Sequence, residues 1–163
     1  MSAGSYISLL AFLVLNMAAA ASGGFFRPGA WHRWLKKPAW NPPNWLFAPA
    51  WTLLFLMIAV AGWRIFEAKG WEATPELVLY FVSLGLNAAW SGLFFGLKRP
   101  DLAFVELLAL WASIALMILV FAPIDGLAAG LLVPYLCWVT FAGALNFSIW
   151  RLNRGRTDPP PVA

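Results

Sequence analysis

Charge is scarce in this chain. Its 163 residues include 11 Lys or Arg and 7 Asp or Glu, together 11%, where an average soluble domain carries roughly 25%. Cysteine and histidine occur once each, as Cys137 and His32. A disulfide framework and Cys-ligated zinc are thereby excluded. His32 has no second ligand at metal spacing, and Cys137 reads as a small packing residue. The sequence also lacks a nucleophile–base–acid set, a phosphate-cradling glycine loop and a nucleotide signature, so conventional enzyme chemistry has no foothold. No metal or cofactor is required.

What is present is apolar. Hydrophobic residues make up 62% of the chain and the mean hydropathy is +0.75, too little polar surface for a soluble or a disordered protein. The reading is an all-α integral membrane protein, one bundle of five transmembrane helices. Spanning about 30 Å of hydrocarbon takes roughly 20 apolar residues, and such runs lie at about 6–26, 45–66, 77–97, 102–121 and 127–150. They form one domain, 1–153, with loop one at 27–44 and a disordered tail at 154–163. The first run could imitate a secretory leader, but no Lys or Arg precedes it and it has full spanning length, so it is taken as a helix.

Nine of the 11 basic residues fall in loop one, loop three and the tail, and two, Arg64 and Lys69, in loop two. The positive-inside rule then puts loop one and the C-terminus in the cytoplasm and the N-terminus outside. The basic balance is thus a topology signal, with no nucleic-acid partner needed, and a surface for anionic headgroups.

Eleven tryptophans exceed what interfacial belts require. Several crowd into a proline-rich stretch, Lys37-Pro38-Ala39-Trp40-Asn41-Pro42-Pro43-Asn44-Trp45-Leu46-Phe47-Ala48-Pro49-Ala50-Trp51-Thr52. Proline fixes φ and removes donors, so this segment should be a stiff, non-helical cap. Trp31, Trp34 and Trp40 read either as headgroup anchors or as part of that cap. Trp51 lies deeper than an anchor needs to.

This stretch, with Leu86-Asn87-x-x-Trp90 and Phe94-Phe95-Gly96 in the third helix and Pro134-Tyr135-Leu136-x-Trp138 and Leu145-Asn146-Phe147 in the fifth, resembles the translocator protein family, also called tryptophan-rich sensory proteins or peripheral-type benzodiazepine receptors. The likeness covers about residues 5–153. It implies a five-helix membrane protein, usually a homodimer, that binds porphyrins, sterols and benzodiazepine-type ligands in a cavity capped by loop one. Transport, signalling and light-driven porphyrin breakdown are the activities it suggests. The family's cholesterol-recognition stretch would fall on Leu145–Arg151, where Phe147 replaces its tyrosine, so porphyrin is the favoured ligand over sterol.

Helical spacing adds an independent reading. At about 100° per residue, Ser83, Asn87, Trp90, Ser91 and Phe94 share one face of the third helix, and Gly85, Ala89, Gly92 and Gly96 another. The small stripe suits close packing, either between subunits or within the bundle. An amide at bilayer depth needs a partner, so Asn87 should face protein, water or ligand. Tyr135, Trp138, Ala142, Leu145, Asn146 and Ile149 align on the fifth helix, and Trp51, Phe55, Ile58 and Gly62 on the second. Such faces are either bundle core or the wall of a site for a flat ring system. Pro134 should bend the fifth helix or free a carbonyl near Gly130. Glu106, inside the fourth span, is either functional or a residue reaching toward Lys98 and Arg99.

The combined expectation is a receptor or carrier for a protoporphyrin-type tetrapyrrole or another planar hydrophobic molecule, set among helices one, two, three and five. Trp51, Trp90 and Trp138 would stack on it and Asn87 would bond it. Tyr135 and Asn146 belong to the same wall, Ala142 and Leu145 shape its floor, and Trp40 and Pro42 lie in the lid. The alternative is a photo-oxidative enzyme in which Trp51 and Trp138 donate electrons to excited porphyrin.

Overall fold

The computed structural model describes residues 3–26 and 28–155, and all regular structure among them is helical. Five long helices are present: α1 (Ala3–Phe25), α3 (Phe47–Lys69), α4 (Thr74–Ser91), α5 (Pro100–Phe121) and α6 (Gly126–Asn153), with a short α2 (Ala30–Trp34) in loop one. The tail expected to be disordered lies, from residue 156 on, outside the described residues.

Sequence dictates the ends. Pro100 occupies the first turn of α5, and Pro75 that of α4, where the missing N–H costs nothing. The Asp125 carboxylate caps α6 by accepting from the Leu127 and Ala128 amides at 2.9 and 3.0 Å and pairs with Arg64 at 2.7 Å. Burial opposes its charge, but these donors hold the carboxyl below its ordinary range. Gly70, at φ 58, lets α3 turn through a 3₁₀ segment (Gly70–Ala73) into α4.

One expectation needs correction. Within the proline-rich stretch expected to be non-helical, Asn44–Leu46 forms a 3₁₀ turn that leads into α3, and ahead of that stretch loop one contains α2 at Ala30–Trp34. α2 lies between Pro28 and Pro38, so no proline interrupts it. The third helix ends in a π-helical turn, Gly92–Gly96, in which the Leu97 amide donates to the Gly92 carbonyl at 2.8 Å. A π turn is a frequent mark of a functional segment. Pro134 leaves α6 continuous, and the residue is exposed on the outer surface.

The helices close a ring in the order α1, α3, α6, α5, α4, with α4 returning to α1. At the α1–α3–α4 junction Asn16 donates its amide to the Tyr80 hydroxyl and to the Phe12 carbonyl. Outward faces carry Ile7, Val14, Leu53, Val82, Val105 and Leu119, all exposed. Apolar faces of this extent on helices of 18 to 28 residues are covered by lipid. The chain is a multi-pass integral membrane protein.

Gly62 shows how close the junction is. A Cβ there would sit 2.6 Å from the Tyr80 ring and 2.9 Å from Phe12, both buried. Gly62→Ala should therefore destabilise the bundle by about 1–3 kcal/mol, read as a lower thermal midpoint in detergent. Gly130→Ala, with nothing within 4 Å of its Cβ, should not lower that midpoint.

Candidate functional site

Aromatic rings converge where α3 meets α6 beneath loop one. Pro49 falls in the first turn of α3, so the helix continues past it and carries Trp51 inward. Trp51 lies 5.6 Å from Phe55, 6.3 Å from Tyr135 and 6.3 Å from Trp138, the last at 84°. Trp138 also meets Phe47 at 5.9 Å and Phe141 at 5.7 Å, and Phe141 meets Trp40 of the loop at 5.8 Å. These are attractive edge-to-face and tilted arrangements. They make a continuous path of rings from α3 across α6 to the loop. The Trp138 indole N–H is buried within it and finds no acceptor among the described residues, which costs on the order of 1–3 kcal/mol unless something else accepts it.

The amides are satisfied. Asn87 donates to the Tyr135 hydroxyl at 2.7 Å, joining α4 to α6. Asn146 accepts from the Trp90 indole at 3.3 Å and donates to the Pro100 carbonyl at 2.7 Å, so one side chain ties α6 to α4 and to the start of α5. Trp90 stacks on Phe94 at 5.0 Å and 23°.

The expected site residues thus fall into two adjoining groups. Trp51, Tyr135, Trp138 and Asn87 form the first, with Ala142 half-buried beside it and Trp40 attached through Phe141. Trp90, Asn146 and Leu145 form the second, where Leu145 packs with Leu35, Phe94, Ala103 and Ile149. Pro42 is half-buried in the loop and accepts from the Asn41 side chain. The helices furnishing these side chains are α3, α4 and α6. The rings touch one another, so a planar molecule can lie between Trp51 and Trp138 only once one of the indoles turns.

Sequence reasoning missed the anchors of the loop. Leu35 is only 6% exposed. Trp31 stands edge-on to Phe94 at 5.9 Å and His32 to Phe95 at 5.3 Å, while Trp31 and Trp34 both pack on the cluster around Leu35. They are part of the cap and not free headgroup anchors. Trp45 and Trp71, 71% and 81% exposed, are the most outward of the indoles. Burial first, and then the nearby Lys37 charge, lower the His32 pKa to about 4. The Lys37 ammonium itself donates to the His32 carbonyl at 2.6 Å.

Other candidates resolve differently. Gly92 and Gly96 are covered by Phe26 of the same chain, at 3.5 and 3.0 Å from their built Cβ positions, whereas Gly85 and Ala89 face outward. Only half of the small stripe is open. Cys137 is exposed; it lies on the outer side of α6 and not in the packed interior. Arg99 pairs with Asp101 at 2.6 Å. Both Glu106 carboxylate oxygens are buried and without a donor among the described residues. Phe147 lies on the outer face with Phe104, and Arg151 sits 5.8 Å over its ring.

The ordered motifs of α3, α4 and α6, now seen to meet at one aromatic site, can be set beside known proteins. The model of the TspO/MBR family matches residues 11–151. This chain belongs to that family. It is 42% identical over 153 residues to Tryptophan-rich protein TspO of Chlorobaculum tepidum, covering 90% of this chain and 96% of that one. Protein CrtK of Rhodobacter capsulatus is 41% identical over 154 residues, with 91% and 96% covered. Translocator protein of Homo sapiens is 35% identical over 128 residues, with 77% and 76% covered.

The docked loop of this TspO/MBR-family chain holds His32 neutral, so it binds fewer protons than the undocked loop. Docking is then complete above about pH 6.5, the ordinary imidazole value, and weakens as pH falls toward the lowered value of about 4. Amide protection across residues 30–46, taken relative to the intrinsic exchange rate at each pH, should fall as the pH is lowered over that interval, and His32→Gln should abolish the fall.

Proposed function

We propose that the protein is a membrane receptor or carrier for a porphyrin-type tetrapyrrole, held between Trp51 and Trp138 and covered by loop one. The observation that carries this reading is the buried Trp138 N–H, which has no acceptor among the described residues yet stands in a wall of π faces. Flat, apolar guests with a few carboxylate or carbonyl acceptors match that combination, stacking on the rings while an edge oxygen receives the indole proton. Family membership is consistent with sensing or carriage, since relatives bear the names tryptophan-rich sensory protein and translocator protein. Sterols and benzodiazepine-type ligands are alternative occupants of the same wall.

In this reading the loop-one end, rich in Arg33, Lys36, Lys37, Lys98, Arg151 and Arg154, faces the cytoplasm. A homodimer would use the open half of the small stripe, Gly85 and Ala89.

The perpendicular contact of Trp51 with Trp138 at 6.3 Å favours a second reading, in which the indoles donate electrons to an excited porphyrin. Illumination separates the two: a carrier leaves the porphyrin spectrum intact, and a photo-oxidative enzyme produces a new chromophore that Trp51→Phe abolishes.

Quenching of intrinsic fluorescence by protoporphyrin measures the affinity. Trp138→Phe keeps an aromatic face but removes the N–H donor and one of the two fused rings, so the Kd should rise at least about tenfold, or roughly 1.4 kcal/mol. Trp51→Ala, which removes a stacking face, should weaken binding at least as much. Wild-type affinity in both variants would eliminate the site.

A further inference from the structure

Beside the packing of Leu35 on α6, the Asn153 side chain fastens loop one to the end of that helix through hydrogen bonds. The Lys36 amide donates to Asn153 Oδ1 at 3.0 Å, and Asn153 Nδ2 donates back to the Lys36 carbonyl at 2.9 Å. One carboxamide thus engages both backbone polar groups of one residue, as a neighbouring β-strand would. The same Nδ2 donates to the Ile149 carbonyl one turn back, at 2.7 Å. Asn153 is therefore held in place by its own helix before it meets the loop, which lowers the entropy lost in forming the clasp. The preceding residue, Leu35, is buried against Leu145 and Ile149 of α6, so plug and clasp act at adjacent positions.

From Lys36 the chain has only Lys37 to Leu46 before α3 begins, and Pro38, Pro42 and Pro43 stiffen that strap. Trp40, within the strap, rests on Phe141, which in turn touches Trp138. A strap this short and stiff is fixed at one end by α3 and at the other by the clasp. Freeing the clasp lets it lift from the aromatic cluster.

We propose that Asn153 is a positioning residue that sets how fast loop one opens, and that a guest reaches Trp51 and Trp138 from the loop-one end through this opening. The second clause rests on the function proposed above; the first does not. A clasp of two hydrogen bonds controls rates in both directions and leaves affinity nearly constant, because it contacts the strap and not the guest.

The test compares wild type, Asn153→Ala and Asn153→Asp in lipid nanodiscs. Aspartate retains the acceptor for the Lys36 amide but loses both donations, and it guards against misfolding of the alanine variant. Amide exchange over residues 35–46 without ligand should be roughly three- to tenfold faster in Asn153→Ala and intermediate in Asn153→Asp. Stopped-flow association and dissociation of protoporphyrin should both accelerate by a similar factor, with Kd changed less than about twofold. Unchanged amide exchange in folded variants overturns the clasp. Faster exchange with unaltered porphyrin rates overturns the route. If wild type binds no protoporphyrin, the functional reading fails, while the exchange data still decide the role of Asn153.

Discussion

A helix bundle in lipid gains little from burying apolar surface, because the solvent it leaves is as apolar as its core. Association must come from close packing and from polar groups that would otherwise face hydrocarbon unsatisfied. In this protein three asparagines meet that requirement. Asn16 with Tyr80 fastens α1 to α4, Asn87 with Tyr135 fastens α4 to α6, and Asn146 with Trp90 and the Pro100 carbonyl binds α4, α6 and α5. Each amide is buried and each spans at least two helices. The aromatic site inherits its geometry from these fastenings, since Tyr135 and Trp90 are simultaneously bonding partners and parts of its wall.

The same constraint isolates what is left over. With the amide N–H groups engaged, the enclosed polar atoms without partners among the described residues include the Trp138 and Trp63 indole N–H groups, the Asn16 Oδ1 and the Glu106 carboxylate oxygens. Trp138 stands among rings beneath the loop, which is why it bears most of the functional argument. Over it, loop one is a built cover and not a tether: Leu35 plugs, His32 and Trp31 lie against the π-turn aromatics, and Trp40 reaches Phe141. The neutral imidazole at this seam ties the cover to pH through burial.

Much of this was legible beforehand because hydrocarbon thickness is a strict ruler. All five spans follow from charge-free run lengths, with ends displaced by a few residues, and helical spacing put Asn87, Tyr135 and Asn146 on interior faces that are indeed buried. Spacing could not supply partners. Asn146 looked equivalent to Asn87 as a ligand contact, but its amide links three helices, a fact that depends on the Pro100 carbonyl 46 positions away in the chain. The stripe of Gly85, Ala89, Gly92 and Gly96 reads as one surface, yet Phe26, just past the end of α1, covers its second half. Cys137 looked like interior packing and faces outward, since an apolar outer surface gives membrane helices no polar side to mark orientation. The short α2 escaped notice because its five residues are too few for periodicity to register.

Binding of a flat guest requires the edge-to-face contact between Trp51 and Trp138 to open. A structure of the protein in a lipid bilayer with protoporphyrin bound decides this most directly. The ring system should lie between these two indoles, with one indole rotated from its present perpendicular contact and an oxygen of the guest accepting from Trp138 Nε1. Porphyrin found only on the lipid-facing surface, with Trp51 and Trp138 still edge to face, would contradict the account and leave a closed five-helix bundle.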